Sequence, residues 1–197
     1  PENHIRLRIN KILDNYLIQR MNKYVQKFID EKLITKIQID SYEREIERYS
    51  GFGIEDAEKL FYFDSEAITE FLEVSEFDKN ENVRWMVAIA SIDILMDDFS
   101  ISLRDRKDIF ENFYFQFLPE FVDISNKENM KGFKTSIDGQ YRKYRSFFDE
   151  VINSKNCMSI EDYIQPFVNR SIRIKKIIND KSISTSDTVR FLQNFIH

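Results

Sequence analysis

The stretch HIRLRI puts His4, Arg6 and Arg8 at even positions and Ile5, Leu7 and Ile9 at odd ones. An extended chain sends successive side chains to opposite faces, so two guanidiniums and an imidazole share one side. Arginine's planar fork matches a carboxylate or a phosphate, which makes that side a candidate anion site. A solvated strand face has the same pattern. A second basic pair stands in YEREIERYSGFG, where Arg44 and Arg48 are four residues apart among Glu43, Glu45 and Glu47. Ion pairs along one helical turn account for such a string. Its place just before a glycine turn is also where functional residues gather.

Three further residue groups bear on chemistry. The chain has two histidines, His4 and His197, at its two ends. The second follows RFLQNFI, where an imidazole titrating near neutrality serves as acid or base. Asp97 and Asp98 form an adjacent carboxylate pair, but a magnesium or calcium site needs more oxygen ligands at defined spacing. A polar cluster at a helix end fits the pair better, so no metal is expected. The single cysteine, Cys157, excludes an intrachain disulfide, fits a reducing compartment and has no activating neighbour in sequence. No Walker loop, dinucleotide-binding glycine pattern, zinc spacing or nucleophile elbow is present.

These residues need elements to position them. Residues 5–9 and 34–42 alternate apolar and polar side chains and read as two strands. Residues 11–33 between them carry apolar residues at helical spacing, and a right-handed crossover would bring the strands together. RYSGFG marks a turn. Beyond it the pattern is helical: a short helix in IEDAEKLFYF, a second in EAITEFLEV capped by Asp64-Ser65, and a central apolar helix in NVRWMVAIASIDILMDDF. In that central helix Arg84, Ser91, Asp93, Asp97 and Asp98 require partners or exposed ends. Amphipathic stretches follow at 103–121, 130–152, 160–180 and 186–197. The expected fold is α+β, one domain over residues 1–197, with a small N-terminal β-sheet and a helical body.

Composition sets the outer bounds. With 197 residues, 42% hydrophobic and 32% charged, the chain is long enough for one sizeable core. Only 4 Gly and 3 Pro favour helices over turns. A net charge of −5 argues against a broad nucleic-acid surface, though not against a local basic pocket. No apolar run spans a bilayer and the first residues do not resemble a signal peptide. The abundance of Phe, Ile, Lys and Asn fits an AT-rich bacterial genome. The chain begins at a strand and stops inside an apolar helix, so both ends are expected to be clipped.

The ordered strings PENHIRLRI, IQIDSYEREIERYSG, IEDAEKLFYFDSEA and ENVRWMVAIASIDILMDDF resemble the C-terminal elimination domain of class I lantibiotic dehydratases. That domain is shared with stand-alone thiopeptide-type bacteriocin biosynthesis proteins. The family pattern runs HxRxR, YxREIERYGG, FxxDS and SIDxLLxD, and closes with IIHxHxNR. Likeness covers most of the first hundred residues, thins through the later helices and returns at Phe195-Ile196-His197. Ser50 stands where the family has the first Gly of YGG. The chain is then either a fragment of a much larger dehydratase or a trimmed stand-alone protein.

The resemblance implies a lyase that removes glutamate from glutamylated Ser or Thr of a lanthipeptide precursor, leaving dehydroalanine or dehydrobutyrine. Carried over position by position, it places Arg6, Arg8 and Arg48 on the glutamate carboxylates and His197 in proton transfer. Arg44 is structural support, and Ser65 and Glu66 are weaker pocket-lining candidates. Elimination needs no cofactor, glutamyl-tRNA being used by a separate glutamylation domain. Implied partners are the precursor peptide, that glutamylation domain in cis or trans, a lanthionine cyclase and exporter, and a second copy in a homo-oligomer. The implied location is the cytoplasm, in association with a membrane-bound biosynthetic complex. Two other readings stand beside it: a pyridine synthase joining two dehydroalanines, and a non-catalytic leader-peptide-binding module. The elimination reading expects the two chain ends to meet in space.

Overall fold

The structure, a computed structural model, describes residues 5–9, 14–75, 81–153 and 160–196. His4, Cys157 and His197 lie outside the described residues. The chain divides into two compact units, Pro1–Arg44 and Glu45–His197.

The first unit holds one helix, α1 (Asn15–Asp30). The Asp14 carboxylate caps its start by accepting from the Leu17 N–H at 2.7 Å. Its end is a Schellman turn: Lys32 has φ 60°, and the Leu33 N–H donates to the Phe28 carbonyl at 2.8 Å. No residue of α1 is buried.

The expected N-terminal sheet is overturned. Among the described residues there is no strand: residues 5–9 and 34–45 are irregular. Alternation selects which side chains share a face, but a strand exists only through a ladder of N–H···O=C bonds to a partner. An apolar strand face also needs a layer to cover it, and Ile5 and Leu7 are 98% and 71% exposed. What links the two stretches is a side-chain contact, the Arg8 guanidinium 5.0 Å from the Tyr42 ring centroid.

The second unit contains α2 (Ile54–Val74), α3 (Glu81–Asp98), α4 (Leu103–Phe121), α5 (Lys127–Lys143), α6 (Arg145–Asn153), α7 (Glu161–Asn179) and α8 (Thr185–Ile196). Its most extensive helix contacts are α2 with α7 and α3 with α7. These three helices run through two apolar clusters. Leu60, Leu95 and Ile174 belong to one, which Ile109 of α4 and Leu192 of α8 complete. Ala67, Val87 and Phe167 belong to the other, joined by Phe147 and Val151 of α6. Each fully buried aliphatic residue contributes about 1.5–3 kcal/mol.

Two helix boundaries differ from expectation. The segment read as two helices joined at Asp64-Ser65 is one, α2. The Ser65 hydroxyl donates back to the Phe61 carbonyl at 2.8 Å, and Asp64 pairs with Arg170 of α7. The tertiary ion pair takes the side chain that a cap would have used. Conversely, residues 130–152 form two helices, parted at Tyr144.

The central helix α3 finds partners for its polar groups. The Ser91 hydroxyl donates to the Ala88 carbonyl at 2.8 Å. Arg106 of α4 pairs with both Asp93 and Asp97. The Asp98 side chain is fully buried, accepts from the Ser171 hydroxyl and lies 3.3 Å from the Lys175 ammonium. Its Oδ2 has no hydrogen-bond partner among the described residues.

Burial pushes the Asp98 carboxyl up from its ordinary 3.8, against the pull of Ser171 and Lys175. The folded protein therefore holds this proton more tightly than the unfolded chain, and stability is lost as pH rises above the carboxylate range. Asp98→Asn keeps an oxygen for Ser171 and removes the titration. Urea unfolding should show the variant gaining on the wild type as pH rises from 3.8 through the raised value.

Candidate functional site

The turn before α2 is built by its backbone first. The Arg48 and Tyr49 N–H groups donate to the Glu45 carbonyl at 3.1 and 3.3 Å, and Phe52 and Gly53 donate to the Tyr49 carbonyl. Gly53, at φ +98°, takes a conformation that side chains disfavour and starts α2. Gly51 lies close to another side chain. A Cβ there would come 2.8 Å from Asp187 Oδ1, where α8 begins. Ser50 is not among the positive-φ residues, and its hydroxyl donates to the Glu47 carbonyl at 3.1 Å.

Aromatic side chains lock this turn to α8. Phe52 stacks on Phe191 with centroids 4.0 Å apart. Tyr49 meets Phe61 and Phe191 edge-on at 5.5 and 6.0 Å. Phe61 of α2 stacks on Phe195 at 4.8 Å, which holds the last turn of α8. On the other side, the Lys181 ammonium donates to the Phe52 carbonyl at 2.8 Å and pairs with Asp56 at 2.6 Å.

Arg48 is displayed at the edge of this assembly. Its Nε donates to Asn194 Oδ1 at 3.2 Å and its Nη1 to Glu45 Oε2 at 3.0 Å. The Tyr49 hydroxyl donates to the Asn194 carbonyl at 3.5 Å. A guanidinium has five N–H donors, and two of those of Arg48 are engaged in these contacts among the described residues. The Arg48 side chain is 39% exposed, and a surface pair of this kind adds little stability. Its effect is orientation.

The other sequence-picked residues fall as follows. Arg6, Arg8 and Arg44 belong to the first unit and are exposed. Ser65 and Glu66 lie on α2. Glu66 accepts from the Tyr62 hydroxyl at 2.5 Å and pairs with Arg173 of α7. The Tyr62 hydrogen bond first, then Arg173, hold the Glu66 carboxyl below its ordinary range. The structure thus joins Arg48 to the end of α8, whose last residue, Ile196, immediately precedes His197. Among the described residues no group of His, Cys, Asp and Glu is arranged to hold a metal, and Asp97 and Asp98 serve the ion pairs and hydrogen bonds given above.

Sequence reading missed Asn194 and Arg173. Asn194 lies within the quoted NFIH string, but its partner is 146 positions away and nothing in its spacing announces the contact. Arg173 lies in the amphipathic stretch 160–180, and its partner Glu66 is 107 positions away.

Lys181→Met tests how the turn is held. Losing the bond to the Phe52 carbonyl and the Asp56 pair should lower stability by about 1–2 kcal/mol at neutral pH. Lys181, then Lys59, depress the Asp56 carboxyl below 3.8. That part of the stabilisation is present above 3.8 and lost as pH falls through the depressed value. The penalty of the substitution, read from thermal melts, should shrink in acid.

The profile of the family described as "Lantibiotic biosynthesis dehydratase C-term" matches residues 1–197. The subtilin biosynthesis protein SpaB of Bacillus subtilis is 27% identical over 158 residues, which cover 78% of this chain. The match spans 14% of that relative's length. No solved structure matches the chain. Among the described residues no helix is long and apolar enough to cross a membrane.

Proposed function

Because this chain belongs to the lantibiotic biosynthesis dehydratase C-terminal family, we propose that it eliminates glutamate from glutamylated Ser and Thr of a lanthipeptide precursor. In that reaction a base takes the α-proton of the modified residue. The carbon–oxygen bond at Cβ breaks, glutamate departs as a carboxylate, and a Cα=Cβ double bond forms. Catalysis needs a base at Cα, cations where carboxylate charge develops, and a grip on the glutamyl side chain.

The observation that carries this reading is Arg48: a guanidinium oriented by Glu45 and Asn194, beside the end of the helix that leads to His197. Arg48 is assigned to the glutamyl carboxylates, with Arg6 and Arg8 in the same role, and His197 to proton transfer. Arg44 supports the segment that carries Arg48. Ser65 and Glu66 line the substrate site, with Glu66 acting through its pairing with Arg173.

No cofactor takes part in this step. A glutamylation domain, in cis or in trans, uses glutamyl-tRNA to supply the ester. The precursor peptide, a lanthionine cyclase and exporter, and a second copy of the protein are the further partners of this reading, in the cytoplasm beside a membrane-bound complex.

The test supplies the complete natural protein with a glutamylated precursor peptide and follows it by mass spectrometry. Free glutamate and a dehydrated peptide are expected. Arg48→Ala should slow elimination by about 10²–10³-fold, and His197→Ala by about 10²–10⁴-fold, with glutamylated peptide accumulating. An unchanged glutamylated peptide with bound, folded protein would sink the reading. A macrocycle formed from two dehydroalanines would point instead to the pyridine synthase.

A further inference from the structure

The geometry points to Asn194 as a positioning residue for Arg48: its side-chain oxygen fixes the guanidinium through Nε, so that the remaining donors face an anionic substrate. This rests on the reading of Arg48 as a carboxylate-binding residue.

An exposed arginine samples many rotamers, and freezing one costs side-chain conformational entropy. A substrate must supply that free energy unless the protein has already done so. Arg48 is gripped at two atoms, Nε by Asn194 at 3.2 Å and Nη1 by Glu45 at 3.0 Å. The two grips differ in kind. Glu45 is three residues away on the same turn, moves with it, and brings a negative charge that competes with an incoming carboxylate. Asn194 is neutral and stands on another element, so it can orient the guanidinium without cancelling its charge.

Asn194 is also well anchored. Its own carbonyl accepts from the Tyr49 hydroxyl, and its neighbour Phe195 stacks on Phe61. The acceptor in the Tyr49 contact is the backbone carbonyl, so changing the side chain at position 194 leaves that acceptor in place. A second consequence concerns register. Asn194 lies three positions before His197, so one short segment carries both the residue that aims the cation and the residue assigned to the proton.

The experiment measures single-turnover elimination from a preformed glutamylated peptide, using the complete natural protein. Asn194→Ala should slow elimination about 10–100-fold, the effect of slight misplacement in an active site, with little change in melting temperature. Asn194→Gln, which keeps a neutral acceptor oxygen, should recover part of the rate, whereas Asn194→Asp, which adds a negative charge that competes with the substrate carboxylate, should not. Arg48→Lys keeps a positive charge but has no Nε–H, and in that background Asn194→Ala should add no further loss. Asn194→Leu, of similar volume, carries the same expectation should the alanine variant fail to fold.

A wild-type rate in Asn194→Ala, or an equal fold-loss in both backgrounds, overturns the inference while leaving the role of Arg48 intact. A wild-type rate in Arg48→Lys and Arg48→Ala overturns both, since a cation that does nothing needs no positioning.

Discussion

The stack of Phe52 on Phe191 is the contact on which the placement of Arg48 depends. An exposed guanidinium has no means of holding its own backbone: the Glu45 pair is half in water and contributes at most about 1 kcal/mol. The turn is fixed instead by burying Tyr49 and Phe52, which are 5% and 3% exposed. Each buried ring contributes about 1.5–3 kcal/mol, and each ring pair about 0.5–1.5 kcal/mol more. Apolar burial therefore sets where the cation stands, and the polar contacts set only which way it points. At Gly51 the turn comes close to α8, and a side chain there would have to displace the Asp187 carboxylate.

Behind that turn, α7 ties the helical body together through charge as well as packing. Arg170, 3% exposed, reaches Asp64 of α2 and the Ser91 carbonyl of α3. Removing one partner of such a buried pair leaves an uncompensated charge and is far more costly than the pair is stabilising. Asp98 shows the other side of the same physics. Its burial beside Ser171 and Lys175 raises its proton affinity, and one of its oxygens has no hydrogen-bond partner among the described residues. Specific pairing of α2, α3 and α7 is thus bound up with polar groups that a purely apolar core would not need.

Much of the helical body is legible in the sequence because amphipathic spacing is local information. The stretch 103–121 is α4 to the residue, and the glycines of RYSGFG mark the turn. Long-range partners are what spacing omits. HIRLRI alternates as a strand does, yet alternation names faces and not a hydrogen-bonding neighbour, and no ladder forms among the described residues. Asp64-Ser65 has the residue types of a cap, but Arg170, more than a hundred positions on, claims the carboxylate and α2 runs through. Arg48 is singled out by its motif. Asn194, which orients it, becomes visible only when the chain is folded.

Carboxylate recognition is the central claim, and the most direct measurement compares two esters of one peptide. One carries glutamate and the other glutamine, identical in size but without the side-chain negative charge. If Arg48 grips that carboxylate, the wild-type protein eliminates glutamate faster than glutamine by about 10²-fold, and the gap collapses in Arg48→Ala. Equal rates for the two esters in the wild-type protein would contradict it.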